Sequence, residues 1–186
     1  MTDTYQDRRR NLWDLVFDEY RAQWINYRKY YLASDWLGKW GNRIHYLTTI
    51  ASSLLLAVIG AAATYSLPDW FSMITLLLSA ATASLAIVSM VGKWQLKSNQ
   101  YYNAGQQHQE LYKEFDYFVK VRLTDKDEET SELEKEAKSL IEKKNDLNEA
   151  TPQLHTRWFE KLKSKRDTEW EQPSLEDLRE GNYRPH

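Results

Sequence analysis

Six small or hydroxylated side chains, Ser72, Thr75, Ser79, Thr82, Ala86 and Ser89, recur at spacings of three, four, three, four and three. At about 100° per residue they share one narrow face of a helix. Two kinds of chemistry suit that face. In a membrane, small and hydroxylated residues let helices approach closely and hydrogen-bond across the contact. Alternatively, the hydroxyls line a water-filled path through an oligomer and solvate ions without a buried charge. A second small-residue line, Thr49, Ser53, Ala57, Gly60 and Thr64, precedes it and suits helix packing.

Catalytic constellations are scarce. There is no phosphate-cradling P-loop, no G-x-G-x-x-G, no nucleophile elbow and no H-E-x-x-H. His45, His108, His155 and His186 are scattered, with no spacing that builds a metal site on one helix. The chain has no cysteine, which removes disulfides, thiolate metal sites and thiol nucleophiles together. That composition suits a reducing cytosol for the soluble parts. The net charge of −2 leaves no strong nucleic-acid footprint. The expectation is a protein that is not an enzyme and needs no catalytic residue, metal or cofactor, with no nucleic acid among its partners.

The elements that position the hydroxyl lines are two apolar runs, 44–67 and 70–92, joined at Pro68-Asp69. Asp69 is the only formally charged residue between 44 and 92. Crossing about 30 Å of hydrocarbon takes about 20 helical residues, and each run is long enough. A soluble bundle with two buried helices would show shorter runs with charges on some face. A signal peptide is excluded by the long polar segment that precedes the first run. The pair is therefore read as a transmembrane helical hairpin. Tyr46 and Trp94 mark one interface, and Tyr65, Trp70 and Phe71 the other. Lys39 and Arg43 precede the hairpin, Lys93 and Lys97 follow it, and the connection has neither Lys nor Arg. The positive-inside rule then puts both termini in the cytoplasm. Pro68 closes the first helix, and Asp69 can cap the second. No mid-span ionisable group is present, as proton relays, coupled transporters and voltage sensors require.

The fold class is thus an all-α membrane protein with long cytoplasmic helices before and after the hairpin. Residues 1–43 form an amphipathic helix with an aromatic seam of Trp13, Phe17, Tyr20, Trp24, Tyr27 and Tyr31 at heptad spacing. Arg8, Arg9 and Arg10 suit either a polyanion or lipid site or, with Asp3, Asp7 and Asp14 nearby, a solvated face. Gly38 and Gly41-Asn42 are expected to break this helix before the membrane. Residues 93–123 continue helically from the second span, with Tyr101, Ala104, His108, Leu111, Phe115 and Phe118 on a matching seam. The two seams are expected to pack as an antiparallel cytoplasmic pair. His108 lies in that seam as a structural histidine or a pH switch. Residues 124–170 read as a turn and a helical pair. Leu133, Ala137, Leu140 and Leu147 share one side of the first helix, and Thr151-Pro152 starts the second. Residues 171–186 read as a flexible tail.

An aromatic helix, two uncharged spans joined by a very short turn, and a Tyr-rich helix after the second span resemble the SLATT family of prokaryotic conflict systems. The likeness covers residues 10–125. It rests on Trp24-Ile25-Asn26-Tyr27-Arg28, the hairpin, Tyr101-Tyr102-Asn103-Ala104-Gly105, Leu111-Tyr112 and Phe115. The resemblance implies a homo-oligomeric pore in the bacterial inner membrane that dissipates ion gradients in an antiphage or abortive-infection response. Its partners would be the lipid bilayer, further copies of itself, and a nucleotide second messenger or sensor protein as trigger. Two other readings stand beside it: a membrane anchor or scaffold that recruits a cytoplasmic partner, and a holin-like lysis protein.

Overall fold

The computed structural model describes residues 2–65, 68, 70–125 and 127–162, with side chains from residue 8 onward. Asp69, expected as a helix cap, and the tail at 171–186 lie outside the described residues. The chain is all-α. Its elements are α1 (Thr2–Thr64), α2 (Trp70–Gly92), α3 (Trp94–Tyr117), a π-helical turn (Phe118–Arg122) and α4 (Thr130–Ala150). A last helical stretch covers 157–162. Two compact units divide the chain, one formed by 1–33 with the described residues from 100 onward, the other by 34–99.

The first unit is a packed bundle. Val16, Phe115, Phe118, Val119 and Leu133 have no exposed surface, and Leu12, Phe17, Tyr20, Leu111, Leu123, Ala137 and Leu140 complete the same cluster. Each fully buried side chain of this kind contributes about 1.5–3 kcal/mol of transfer free energy. The helices of α1 and α3 run antiparallel here. Tyr20 meets Tyr112, Gln23 meets His108, and Tyr31 meets Tyr102, so partner numbers fall as α1 advances. The π-turn closes with Leu123 N–H donating to the Phe118 carbonyl at 2.9 Å. Its wider turn lets Phe118, Val119 and Leu123 all reach the core, which a 3.6-residue period alone does not provide.

Charged side chains then tie α4 to its neighbours. Lys144 pairs with Glu19 at 2.8 Å, Lys143 with Glu114 at 2.6 Å, and Arg8 with Glu134 at 2.9 Å. Arg9 donates to the carbonyls of Leu123, Asp125 and Glu128. Arg9 therefore holds the turn before α4, and Arg8 pairs with α4 from the exposed surface, where the sequence left open a polyanion site or a solvated face.

In the second unit α1 runs unbroken through Gly38 and Gly41, which corrects the expectation that they end it. Interior glycines cost a helix about 1 kcal/mol each, which a continuous hydrogen-bond ladder absorbs. Their value here is close approach. A Cβ on Gly41 would lie 3.0 Å from Trp94 Cβ, and one on Gly38 would lie 3.2 Å from Ser98 Oγ. Ser34 and Ser98 exchange hydroxyl-to-carbonyl bonds in both directions at 2.9 and 2.8 Å. The expected continuous helix after the second apolar run is interrupted at Lys93, whose φ is 44°. This left-handed residue separates α2 from α3, and a Cβ on Gly92 would overlap the Trp94 indole. Among the described residues two helices are long and apolar enough to cross a membrane, and their apolar stretches are not buried.

The glycines make the packing testable. Gly41→Val should lower the melting temperature, because overpacking costs about 1–3 kcal/mol. Gly60→Ala has nothing within 4 Å of the new Cβ and should raise the melting temperature, since helix propensity adds up to about 1 kcal/mol of stability. Thermal melts followed by circular dichroism will order the three proteins.

Candidate functional site

The chemistry available in the bundle gathers around His108, which is 1% exposed. Its Nδ1 lies 2.8 Å from Gln23 Oε1, and its Nε2 lies 3.5 Å from Thr151 Oγ1. The imidazole stacks on the Tyr30 ring with centroids 5.0 Å apart. Tyr30 in turn donates its hydroxyl to Thr151 Oγ1 at 3.2 Å and to the Pro152 carbonyl at 2.8 Å. Gln23 is fully buried, and its Nε2 has no partner.

Thr151 reaches this position for a local reason. The residue before a proline avoids the helical region, and Thr151 adopts φ −95°, ψ 146°. Thr151 therefore ends α4, and its N–H and hydroxyl both donate to the Leu147 carbonyl. The expectation that Thr151-Pro152 starts a helix is corrected: residues 152–155 are not helical, and the helical stretch begins after them, at 157. Trp158 and Leu162 of that stretch are buried, while Phe159 is exposed.

The electrostatics of the node disfavour charge. Burial, and secondarily the nearby Lys29 ammonium, pull the His108 pKa down to about 4. Burial also holds the Lys29 ammonium below its ordinary value. The Tyr30 phenol is pushed up by burial. A second polar chain sits one turn earlier on α1. Tyr20 donates to Asp116 Oδ1 at 3.0 Å and shares a 2.9 Å bond with the Tyr112 hydroxyl, and Lys120 pairs with the same carboxylate at 2.6 Å. Burial first, then the Tyr112 hydroxyl, push the Tyr20 phenol far up. The Gln23–His108 and Tyr20–Asp116 contacts each join α1 to α3. They hold registers; they offer no activated nucleophile.

The seam residues predicted from spacing gather on this bundle. Phe17, Tyr20, Trp24, Ala104, His108, Leu111, Phe115 and Phe118 are buried, and Trp13, Tyr27, Tyr31 and Tyr101 are partly buried. Arg28 covers the Trp24 ring at 4.0 Å. Spacing missed Gln23, Tyr30 and Thr151. The one available signal was His108 itself, since a histidine inside an aromatic seam needs a polar partner on the opposing helix.

The hydroxyl lines fall differently. On α2, Thr75, Ser79 and Thr82 are partly covered, whereas Ser72, Ala86 and Ser89 are exposed. On α1, Thr49, Ser53, Ala57, Gly60 and Thr64 are all exposed, and the partly covered line is Thr48, Ala51, Ser52, Leu55, Val58 and Ala61. Thr49, Ser53, Thr64, Thr75, Ser79, Thr82 and Ser84 each donate to the carbonyl four residues earlier. These hydroxyls are satisfied within their own helices.

A family model described as "Mobilome CxxCx(11)CxxC protein" matches residues 9–161. The chain belongs to that family. The match spans the whole stretch on which the SLATT resemblance rested, and it overturns that resemblance. The pore-forming antiphage effector, its SLATT identity and its nucleotide gating fall with it, and so does the holin-like reading, which shares the pore. No curated protein and no solved structure matches the chain. The mobilome family is described by two CxxC pairs, a spacing that suits thiolate metal coordination. This member carries no cysteine at all, and among the described residues no His/Asp/Glu cluster could hold a metal. The donor set for such a site is absent from this chain.

The depressed His108 pKa sets a pH dependence. Between about pH 6.5 and 4 the unfolded chain binds a proton that the folded chain does not. Stability is full above that window and falls as pH drops through it, by on the order of 3 kcal/mol. Urea midpoints measured from pH 7 to 4 should fall less steeply in His108→Gln than in the parent. Parallel slopes would show that His108 carries no such linkage.

Proposed function

We propose that this family member is a two-span membrane protein whose helical bundle is a non-catalytic, membrane-tethered platform for a protein partner of a mobile genetic element. Residues 44–67 and 70–92 cross the bacterial inner membrane as a hairpin, and both chain ends lie in the cytoplasm. The observation that carries the reading is α2: it has no charged residue and no buried one. Water in contact with such a helix costs about 0.8 kcal/mol per exposed methylene, a cost that lipid removes. The back-bonded hydroxyls support the same reading, because a bilayer core demands that polar groups be satisfied internally. Lys39, Arg43, Lys93 and Lys97 at the ends of the runs support the orientation. The bundle supports the platform role, with a close-packed core, neutral buried polar groups and an exposed Leu15 beside Ile141 on its surface.

The membrane reading is checked by alkaline carbonate extraction of cells expressing the full chain. The native protein should stay with the membrane pellet. The Leu77→Arg, Ala83→Arg double variant should leave it, since a mid-span arginine costs about 2.5–3.5 kcal/mol. An alkaline phosphatase reporter should be active when inserted at Pro68 and inactive at the C-terminus. Release of the native chain by carbonate, or the reverse reporter pattern, would sink the proposed topology.

A further inference from the structure

We infer that the cavity beside Lys93 and Trp94 is a binding site for the phosphate of one anionic phospholipid headgroup. The inference rests on the membrane reading above. The cavity has a volume of about 420 Å³ and lies within the unit formed by 34–99. It is lined by Asn42, His45, Ser89, Lys93, Trp94 and Gln95, with Leu96 and Gly41 completing the wall. No carboxylate lines it, so an anion there meets donors and a lysine and no repelling charge.

Three observations point to a ligand of this chemistry. The first is the Trp94 Nε1–H, which is buried and has no hydrogen-bond partner. A buried donor left unmade costs about 1–3 kcal/mol, and an indole N–H can be satisfied only by an acceptor. The second is the backbone. Lys93 is held at φ 44°, where a non-glycine residue costs on the order of 1 kcal/mol. That turn sets the lysine and the indole on the same cavity wall. The third is position. The cavity is built from residues just before the first apolar run and at the end of the second, the depth at which phosphates lie in a bilayer. Leu96 is 54% exposed on the cavity wall, and the uncovered apolar faces of both runs begin here. A free phosphate ion has no use for that apolar margin, whereas the acyl chains of a lipid do. Gln95 Nε2 donates to Asn42 Oδ1 at 2.6 Å, which ties the two walls together without ligand.

The test uses the full chain in a mild non-ionic detergent, with lipid retention read by native mass spectrometry. Dioleoyl phosphatidylglycerol should be retained about tenfold better than dioleoyl phosphatidylcholine, which carries the same phosphate but sets its choline cation against the Lys93 ammonium with no carboxylate on the wall to offset it. Lys93→Gln and Trp94→Phe should each reduce phosphatidylglycerol retention by about the same factor. Lys138→Gln, on the surface of the bundle, should leave it unchanged. Circular dichroism melts establish that each variant is folded, and Lys93→Gln decides the matter if Trp94→Phe is not. Equal retention of the two lipids, or unchanged retention in folded Lys93→Gln, overturns the site. Displacement of the lipid by inorganic phosphate at millimolar concentration overturns it in favour of a free-anion site. A chain that fails this test and still resists carbonate extraction leaves the membrane reading standing and removes only the headgroup site.

Discussion

The antiparallel contact between the start of α1 and α3 is the interaction on which the bundle depends. Aromatic rings supply most of its area: Tyr20 against Tyr112, Tyr27 against Tyr112, Tyr31 against Tyr102 and Tyr30 against Tyr101. Rings of similar size at heptad spacing would tolerate a slip of one heptad. The buried pair of Gln23 and His108 does not, because a slip strands two polar side chains against hydrocarbon. Gly105 closes the contact by letting the Tyr30 and Tyr31 side chains come within 3.1–3.3 Å of where a Cβ would stand. With that register set, Leu133, Ala137 and Leu140 of α4 find a formed groove, and Lys144 and Lys143 fasten the helix from either side.

The unit formed by 34–99 obeys a different constraint. It has few buried residues, and they cluster at one end: Ser34, Leu37, Gly41, Ile44 and Ser98. Packing there relies on small residues that allow backbones to approach, as the serine exchange and the glycine contacts illustrate. Along the apolar runs, side chains are partly covered or exposed, and the hydroxyls return their hydrogen bonds to their own helix. Such helices present a surface that behaves as apolar despite its Ser and Thr content.

Much of the architecture was legible from periodicity. The aromatic seams, the two uncharged runs and the apolar side of α4 follow from spacings of three and four, which is why the α-helical class and the antiparallel pairing could be read. What failed were single residues whose meaning depends on a neighbour. Gly38 and Gly41 look like breakers until Ser98 and Trp94 arrive beside them. Thr151 looks like the start of a helix until Pro152 forces it out of helical dihedrals and toward His108. The π-turn leaves no mark, because one extra residue in a turn shifts the pattern by less than the scatter among apolar positions. Of the buried node, only His108 was visible, since Gln23 and Tyr30 lie beside the aromatic seam. The family itself was out of reach. Two long apolar runs flanked by aromatic helices do not by themselves specify a family, and this member lacks the cysteines after which its family is described.

The absence of cysteine also changes what the cell can do to this bundle. A domain held by thiolate coordination draws its folding free energy from the metal and gives it up to chelators and oxidants. Here the same burden rests on the contact of Phe115, Phe118 and Leu133 with α1 and on ion pairs between helices. With no thiol in the chain, peroxide finds no cysteine to oxidise, and the described bundle draws its free energy from packing and ion pairs.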